Sequence, residues 1–396
     1  FYKEVQQMRK YFGTDGIRRI ANTELTPELV YKVAKAGAYV LSKHTDHAPT
    51  IFIGRDTRIS GTLIESAMTA GFLSYGANVK MLGVMPTPAV AYLTKKFKAD
   101  ASVVISASHN TFEFNGVKYF SNKGMKIPDE LEEEIEEVMD SGKINELTAV
   151  NDKIGTSEIA TELLDEYVYF FRKNFEEDLE RLNRDDFVVA VDTANGATSV
   201  VADKVFTVLG IKHHILNDSP NGININDGCG STHLEMLKQY VIDKKCSLGI
   251  AYDGDGDRCL AVDENGNEID GDKIIAIISQ YLKSKGKLNK DTIVATVMSN
   301  LGLNKYAKQN ELNFVQTKVG DRYVLEEMLK NGYNLGGEQS GHVICLDYNP
   351  TGDGILTSLM IIRAILEQGK KASEVASIMK AYPQVLINAK VSSDKI

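Results

Sequence analysis

The 396-residue chain has no tryptophan, eight prolines and four cysteines. Cys229, Cys246, Cys259 and Cys345 are scattered without a Cys-x-x-Cys pair, which argues against a disulfide scaffold and suits a reducing cytosol. No apolar run reaches the length of a membrane span, and the N-terminus lacks the charged-then-apolar pattern of a signal peptide. An excess of positive charge is missing too. With 45 Lys and Arg against 54 Asp and Glu, the formal charge is −9, so nothing draws the chain generally to nucleic acid. An anionic ligand would need a local basic pocket. The expectation is a cytoplasmic protein with neither nucleic acid nor membrane as partner.

What is present is an ordinary globular composition, 43% hydrophobic and 25% charged, at a length that suggests two to four domains. Short strand-like runs (Ile51–Ile53, Val79–Leu82, Ala101–Ile105, Phe187–Val191, Thr292–Val297) alternate with helix-like stretches (Ser60–Tyr75, Thr198–Leu209, Asp272–Lys285, Gly352–Gln368). That alternation predicts an α/β architecture with mostly parallel sheets. A strand-loop-helix unit recurs at Gly54–Arg58, Asp192–Gly196 and Met298–Gly302, which suggests three related domains. The acidic stretch Asp129–Asp140 reads as a solvated helix, and 141–158 as the first inter-domain region.

Asp253-Gly254-Asp255-Gly256-Asp257, followed by Arg258, is the most informative segment. Three carboxylates within five residues repel one another unless a cation sits among them, and hard oxygen ligands select Mg²⁺ or Ca²⁺. The glycines let the backbone bend so that alternate side chains converge. An EF-hand fits Asp253, Asp255, Asp257 and Glu264, but Arg258 stands where its glycine is needed, and strand-like rather than helical runs flank the loop. An Asn-Gly turn at Glu264–Asn267 predicts a hairpin after it. A catalytic Mg²⁺ loop is the favoured reading, ahead of an EF-hand and of a solvated acidic turn without metal.

A second loop, Ser106-Ala107-Ser108-His109-Asn110, follows the Ala101–Ile105 strand. It lacks a Gly-x-Ser-x-Gly setting, and His109 adjoins Ser108 too closely in sequence to serve as its base. Taken with the aspartate loop, it resembles the α-D-phosphohexomutase superfamily. Tyr11–Arg18, Gly54–Arg58, Asn224–His233, Lys318–Val324 and Gly336–His342 carry the resemblance further, in order, and are similar to its bacterial phosphoglucosamine mutase branch.

The resemblance implies three related mixed α/β domains around a central cleft, with the family's fourth, C-terminal domain missing or truncated. The expected segments are 8–158 with the phosphoserine loop, 159–258 with the metal loop, 259–380 with the sugar loop, and 381–396 as the start of the fourth. It implies an isomerase that interconverts glucosamine 6-phosphate and glucosamine 1-phosphate, towards UDP-N-acetylglucosamine and cell-wall synthesis. Ser108 would carry the phosphoryl group, and glucosamine 1,6-bisphosphate would be the bound intermediate. Mg²⁺ would be held by Asp253, Asp255, Asp257 and an oxygen on Ser108. Three carboxylates and a phosphoserine of roughly −1.5 to −2 outweigh one Mg²⁺ by about −3, so cations must converge. Arg18, Lys118, Arg258, Lys318 and Arg322 are the candidates, with Lys118 or Arg18 also assisting proton transfer and His109 supporting the loop. Glu338 and Ser340 would select the sugar. A mutase for glucose or mannose phosphates is the nearer alternative, and a non-catalytic metal-binding protein the more distant one. The partner is a phosphosugar, and a homodimer is left open.

Thr111 stands where the family usually has proline, and Arg19 where it usually has glycine. The sequence reaches Ile396 without the Arg-x-Ser-Gly-Thr-Glu loop that clamps the distal phosphate in that family. The expectation is a chain that keeps Mg²⁺ binding but turns over poorly.

Overall fold

A computed structural model describes residues 10–13, 15–43 and 45–385. The start of the first expected segment at Met8 and the end of the last, 386–396, lie outside the described residues.

Three sheets follow one another along the chain. The first contains β1 (Ile17–Ile20), β2 (Thr50–Arg55), β3 (Asn78–Val84), β4 (Ala101–Ile105), β5 (Phe114–Ser121) and β6 (Ser157–Ile159), in the order β1-β5-β4-β2-β3-β6. The second contains β7 (Val188–Asp192), β8 (Lys212–Leu216), β9 (Leu248–Tyr252), β10 (Cys259–Asp263) and β11 (Glu268–Ile269), ordered β11-β10-β9-β7-β8. The third contains β12 (Thr292–Thr296), β13 (Asn313–Thr317), β14 (Leu335–Gly337) and β15 (Val343–Cys345), ordered β13-β12-β14-β15.

All three share one plan. A central strand (β2, β7 or β12) is flanked by two parallel neighbours, and one of these (β4, β9 or β14) turns back into an antiparallel partner (β5, β10 or β15). The sheets are therefore mixed, parallel at the centre and antiparallel at one edge. The loops after the central strands are the ones that suggested repetition from sequence. The expected break at 158/159 cuts β6, which pairs with β3, and the break at 258/259 cuts the β9–β10 hairpin. The second sheet continues through Ile269 because the strand after Arg258 returns alongside β9.

Helices α1 (Pro27–Ser42), α2 (Gly61–Tyr75), α3 (Thr87–Phe97) and α4 (Asp129–Asp140) accompany the first sheet, and α5 (Leu164–Glu180) leads to the second. The second sheet has α6 (Ala202–Val208) and α7 (Glu235–Lys244). The third has α8 (Gly271–Ser284), α9 (Leu301–Gln309), α10 (Asp321–Asn331), α11 (Gly354–Gln368) and α12 (Ala372–Ala376). Thr26 starts α1 by accepting from the Leu29 amide, with Pro27 in the first turn.

Two expectations change. The acidic α4 is half-solvated rather than solvated, because Ile135, Val138 and Met139 form a buried stripe facing the α1 core. The helix expected over Thr198–Leu209 breaks at Val201, after a short turn over Ala197–Val200. The Ala197 amide donates to the Gly254 carbonyl (2.8 Å), which ties that first turn to the aspartate loop. Arg19 lies in β1 opposite Asn115, in an extended pairing that needs no glycine.

One apolar cluster runs from Phe52 and Leu82, through Phe171 and Val191, to Ile275 and Leu359. Helix α11 is buried at every residue from Gly354 to Ile365. Burial of this continuous apolar surface holds the three units in register.

Candidate active site

The three chemical loops occupy the same place in the three sheets. Ser108 lies between β4 and β5, Asp253–Arg258 between β9 and β10, and Glu338–His342 between β14 and β15. Each is the link from a parallel strand to its antiparallel return, and the packing of the sheets brings the three links together.

Ser108 is buried, with its backbone in the left-handed region (φ 50°). Such a conformation is uncommon for a residue with a side chain and needs its surroundings to hold it. Here the bracing is dense. The Ser108 amide donates to Ser106 Oγ (2.9 Å), and its carbonyl accepts from Arg58 (2.9 Å) and Asn226 Nδ2 (2.8 Å). Arg58 also reaches the carbonyls of Asn110 (3.0 Å) and Thr111 (2.6 Å), and pairs with Asp56 at 2.9 Å. The Ser108 hydroxyl donates to Asp253 Oδ2 at 2.6 Å.

Asp253, Asp255 and Asp257 are buried, and one oxygen from each falls within 4.8 Å of the others. The flanking elements are strands, so the EF-hand reading fails. Asp255 accepts from Thr87 Oγ1 (2.7 Å) and Lys118 Nζ (2.9 Å), and Asp253 Oδ1 accepts the Arg258 amide (3.1 Å). Asp255 Oδ1 and Asp257 Oδ1 are buried without a hydrogen-bond partner. Buried carboxylate oxygens in that state are costly, and a hard divalent cation satisfies them. The residues therefore fit the metal that the sequence implied. Burial, together with Asp257 and Asp255, pushes the Asp253 carboxyl well above its usual range. Burial also opposes ionisation of Asp257, yet His342 and Lys118 hold it below the usual range.

The alternating glycines have a second purpose. A Cβ at Gly254 would lie 2.6 Å from the Ser108 carbonyl oxygen and 2.7 Å from Asn226 Nδ2. Gly254→Ala is expected to separate the serine and aspartate loops, weakening Mg²⁺ binding and turnover together. Isothermal titration with Mg²⁺ and an assay on the same protein would test this, and unchanged affinity would refute it.

Lys118 is fully enclosed, 2.9 Å from Asp255, 3.2 Å from Asp15 and 3.9 Å from Asp257. Burial works against its charge, but Asp15, Asp255 and Asp257 outweigh it and keep the ammonium charged. Arg18 pairs with Asp15, and its Nε has no partner. Arg258 is held charged by Asp253, Asp257 and Asp255 against the cost of burial, and its Nε is likewise free. His109 is lowered to about 4 by burial, Arg258 and Arg18, so it is neutral near pH 7.

A cleft of about 400 Å³ opens over this cluster, lined by Arg18, Asp257, Arg258, Glu338 and Ser340 among others. Glu338 Oε1 accepts the Gly320 amide at 3.2 Å, and Ser340 Oγ is buried without a partner. Ten of the expected residues thus converge: Ser108, His109, Lys118, Arg18, Arg258, Glu338, Ser340 and the three aspartates.

Two do not. Lys318 is exposed, with its Nζ over the Tyr323 ring at 5.8 Å. Arg322 faces Asp129 (2.5 Å) and Glu326 (2.7 Å) and does not line the cleft. It ties α10 to α4. Lys126, Asp15, Asp321 and His342 do line the cleft and went unassigned from sequence. Asp15, Asp321 and His342 lay inside the recognised motifs, whereas Lys126 stands in none.

Three family models match in order: Phosphoglucomutase/phosphomannomutase, alpha/beta/alpha domain I over residues 9–146, domain II over 165–266 and domain III over 270–382. A phosphoglucosamine mutase of Acetivibrio thermocellus is 53% identical over 98% of this chain and 85% of its own length. One from Ruminiclostridium cellulolyticum is 52% identical over 98% of the chain and 85% of its own length. Among solved structures, a putative phosphomannomutase from Thermus thermophilus shares the fold at a TM-score of 0.82 and 23% identity, covering 93% of this chain and 83% of that one. With phosphohexomutase models matching most of its length and phosphoglucosamine mutases more than half identical to it, the chain belongs to the phosphoglucosamine mutase family of the α-D-phosphohexomutases.

Proposed function

We propose that the chain interconverts glucosamine 6-phosphate and glucosamine 1-phosphate, with Ser108 as phosphoryl carrier. The observation that carries this reading is the Ser108 hydroxyl, 2.6 Å from a buried aspartate of a three-carboxylate cluster. Asp253, Asp255 and Asp257 would hold Mg²⁺, which when bound supplies positive charge to the phosphoryl oxygens. In the first transfer, the phosphorus–oxygen bond to Ser108 breaks as a bond to the free sugar hydroxyl forms. The hydroxyl proton ends on Ser108 Oγ. The resulting glucosamine 1,6-bisphosphate turns over in the cleft and returns its other phosphate to Ser108, reversing the same bond changes.

Phosphoryl transfer needs positioning and charge neutralisation more than covalent activation. Arg58 and Asn226 hold the serine carbonyl, which aims the carrier oxygen. Lys118, Arg18 and Arg258 offset the accumulated negative charge. Glu338 and Ser340 would orient ring hydroxyls, and a carboxylate favours an ammonium at the 2-position. Four free cysteines and a net charge of −9 accord with a cytoplasmic enzyme of a phosphosugar, without nucleic acid. Among the described residues, no helix is long and apolar enough to cross a membrane.

Rates on glucosamine 6-phosphate, glucose 1-phosphate and mannose 1-phosphate, each primed with its bisphosphate, test the substrate. The aminosugar is expected to be preferred, and a clear preference for mannose 1-phosphate would overturn the choice.

A further inference from the structure

Around the cleft the charged groups close into a ring that crosses all three sheets. Lys118 lies 3.2 Å from Asp15, Asp15 pairs with Lys126, and Lys126 Nζ lies 2.6 Å from Asp321 Oδ2. Asp321 lies 3.3 Å from His342, His342 3.5 Å from Asp257, and Asp257 3.9 Å from Lys118. Only the Lys126–Asp321 contact joins the first unit directly to the third within this ring, and it spans 195 residues of sequence.

We infer that Lys126 is a positioning residue for the sugar-selecting wall, acting through Asp321. Asp321 is the first residue of α10, and Gly320, the residue before it, donates its amide to Glu338 Oε1 at 3.2 Å. Lys126 itself is anchored, since its backbone bridges to Phe120 at the end of β5. The path is continuous: a lysine fixed to the first sheet holds the start of α10, which holds the carboxylate that faces the sugar. Asp15 keeps Lys118 and Arg18 when Lys126 is removed, whereas Asp321 keeps only His342 among the contacts above. The effect of losing Lys126 therefore falls on α10 and Glu338, not on Ser108. The inference rests on the mutase reading for its kinetic consequence and on geometry alone for its structural one.

A double-mutant cycle on the full chain tests it. Lys126→Gln and Asp321→Asn are each expected to lower kcat/KM for glucosamine 6-phosphate about tenfold, within the range for coupled neighbours. The loss should appear mainly in KM, and the double variant should be no worse than either single one. Losses that multiply in the double variant would overturn the inference, because Lys126 would then act on the substrate independently of Asp321. Hydrogen exchange provides a readout that needs no turnover. Amides of α10 and 338–342 should exchange faster in Lys126→Gln, while those around Ser108 stay unchanged. Unchanged exchange in α10 would sink the inference even if the mutase reading stands, and failure to use glucosamine 6-phosphate would sink that reading alone. Should Lys126→Gln not fold, Lys126→Met carries the same exchange test with a side chain of similar length.

Discussion

Ser108→Ala is expected to abolish phosphosugar turnover, with a loss on the order of 10⁴-fold or more, as when other enzymes lose a covalent nucleophile. Within the serine loop, Ser106 and His109 are poor replacements for the lost oxygen. Ser106 Oγ is committed to Asp56 at 2.5 Å, and His109 is a neutral ring in the same loop. The buried carboxylates of Asp253, Asp255 and Asp257 remain, so Mg²⁺ binding should persist in the variant. That pairing of outcomes separates a mutase from a protein that merely binds a metal. A Mg²⁺ titration and a coupled assay would report it, and near-normal turnover in Ser108→Ala would remove the serine from the reaction.

The largest effect on stability is expected from Arg58→Met. Its side chain and that of Asp56 are wholly buried, and its guanidinium serves Asp56 and three carbonyls of the serine loop. Removing one partner of a buried ion pair leaves the other charge uncompensated, which costs about 3–5 kcal/mol. The carbonyls of Ser108, Asn110 and Thr111 would lose a donor at the same time, although Asn226 Nδ2 still reaches the first two at 2.8 Å. The variant should therefore unfold at a lower denaturant concentration and lose turnover even where it remains folded. Arg58→Lys should rescue little, because an ammonium cannot reproduce the planar fork. A denaturation midpoint equal to that of the unsubstituted chain would refute the role.

How far these features were readable depends on how far apart their parts lie in sequence. The aspartate loop was legible because its three ligands fall within five residues and their mutual repulsion calls for a cation. Ser108 was legible only through the family resemblance that its loop and the aspartate loop carry together. Arg58 was visible as part of a motif, but its task was not, since the carbonyls it holds lie 50 to 53 residues away. Lys126 carried no local signal, because its partners are 111 and 195 residues distant.

Arg322 was assigned to the cleft by the family resemblance of its motif, Lys318–Val324. Successive residues on a helix point about 100° apart, however, so the neighbour of a cleft-facing aspartate faces elsewhere. There it finds Asp129, on a helix whose acidic character had suggested only solvation. The boundary placed after Arg258 missed for a related reason. A metal loop between two strands reads along the chain as an ending, whereas in the sheet it is the turn of a hairpin.

By itself the sequence determined a divalent-cation loop and the threefold α/β plan, while the family resemblance supplied the phosphoryl chemistry. The first two rest on contiguous patterns: alternating strands and helices, spaced carboxylates, and short loops after strands. Tertiary structure alone decided which cations lie at the cleft, which serve to fasten helices, and that three equivalent hairpin loops meet in one cleft. The reason is that charge interactions act through space and fall off with distance. Packing, not sequence order, sets those distances.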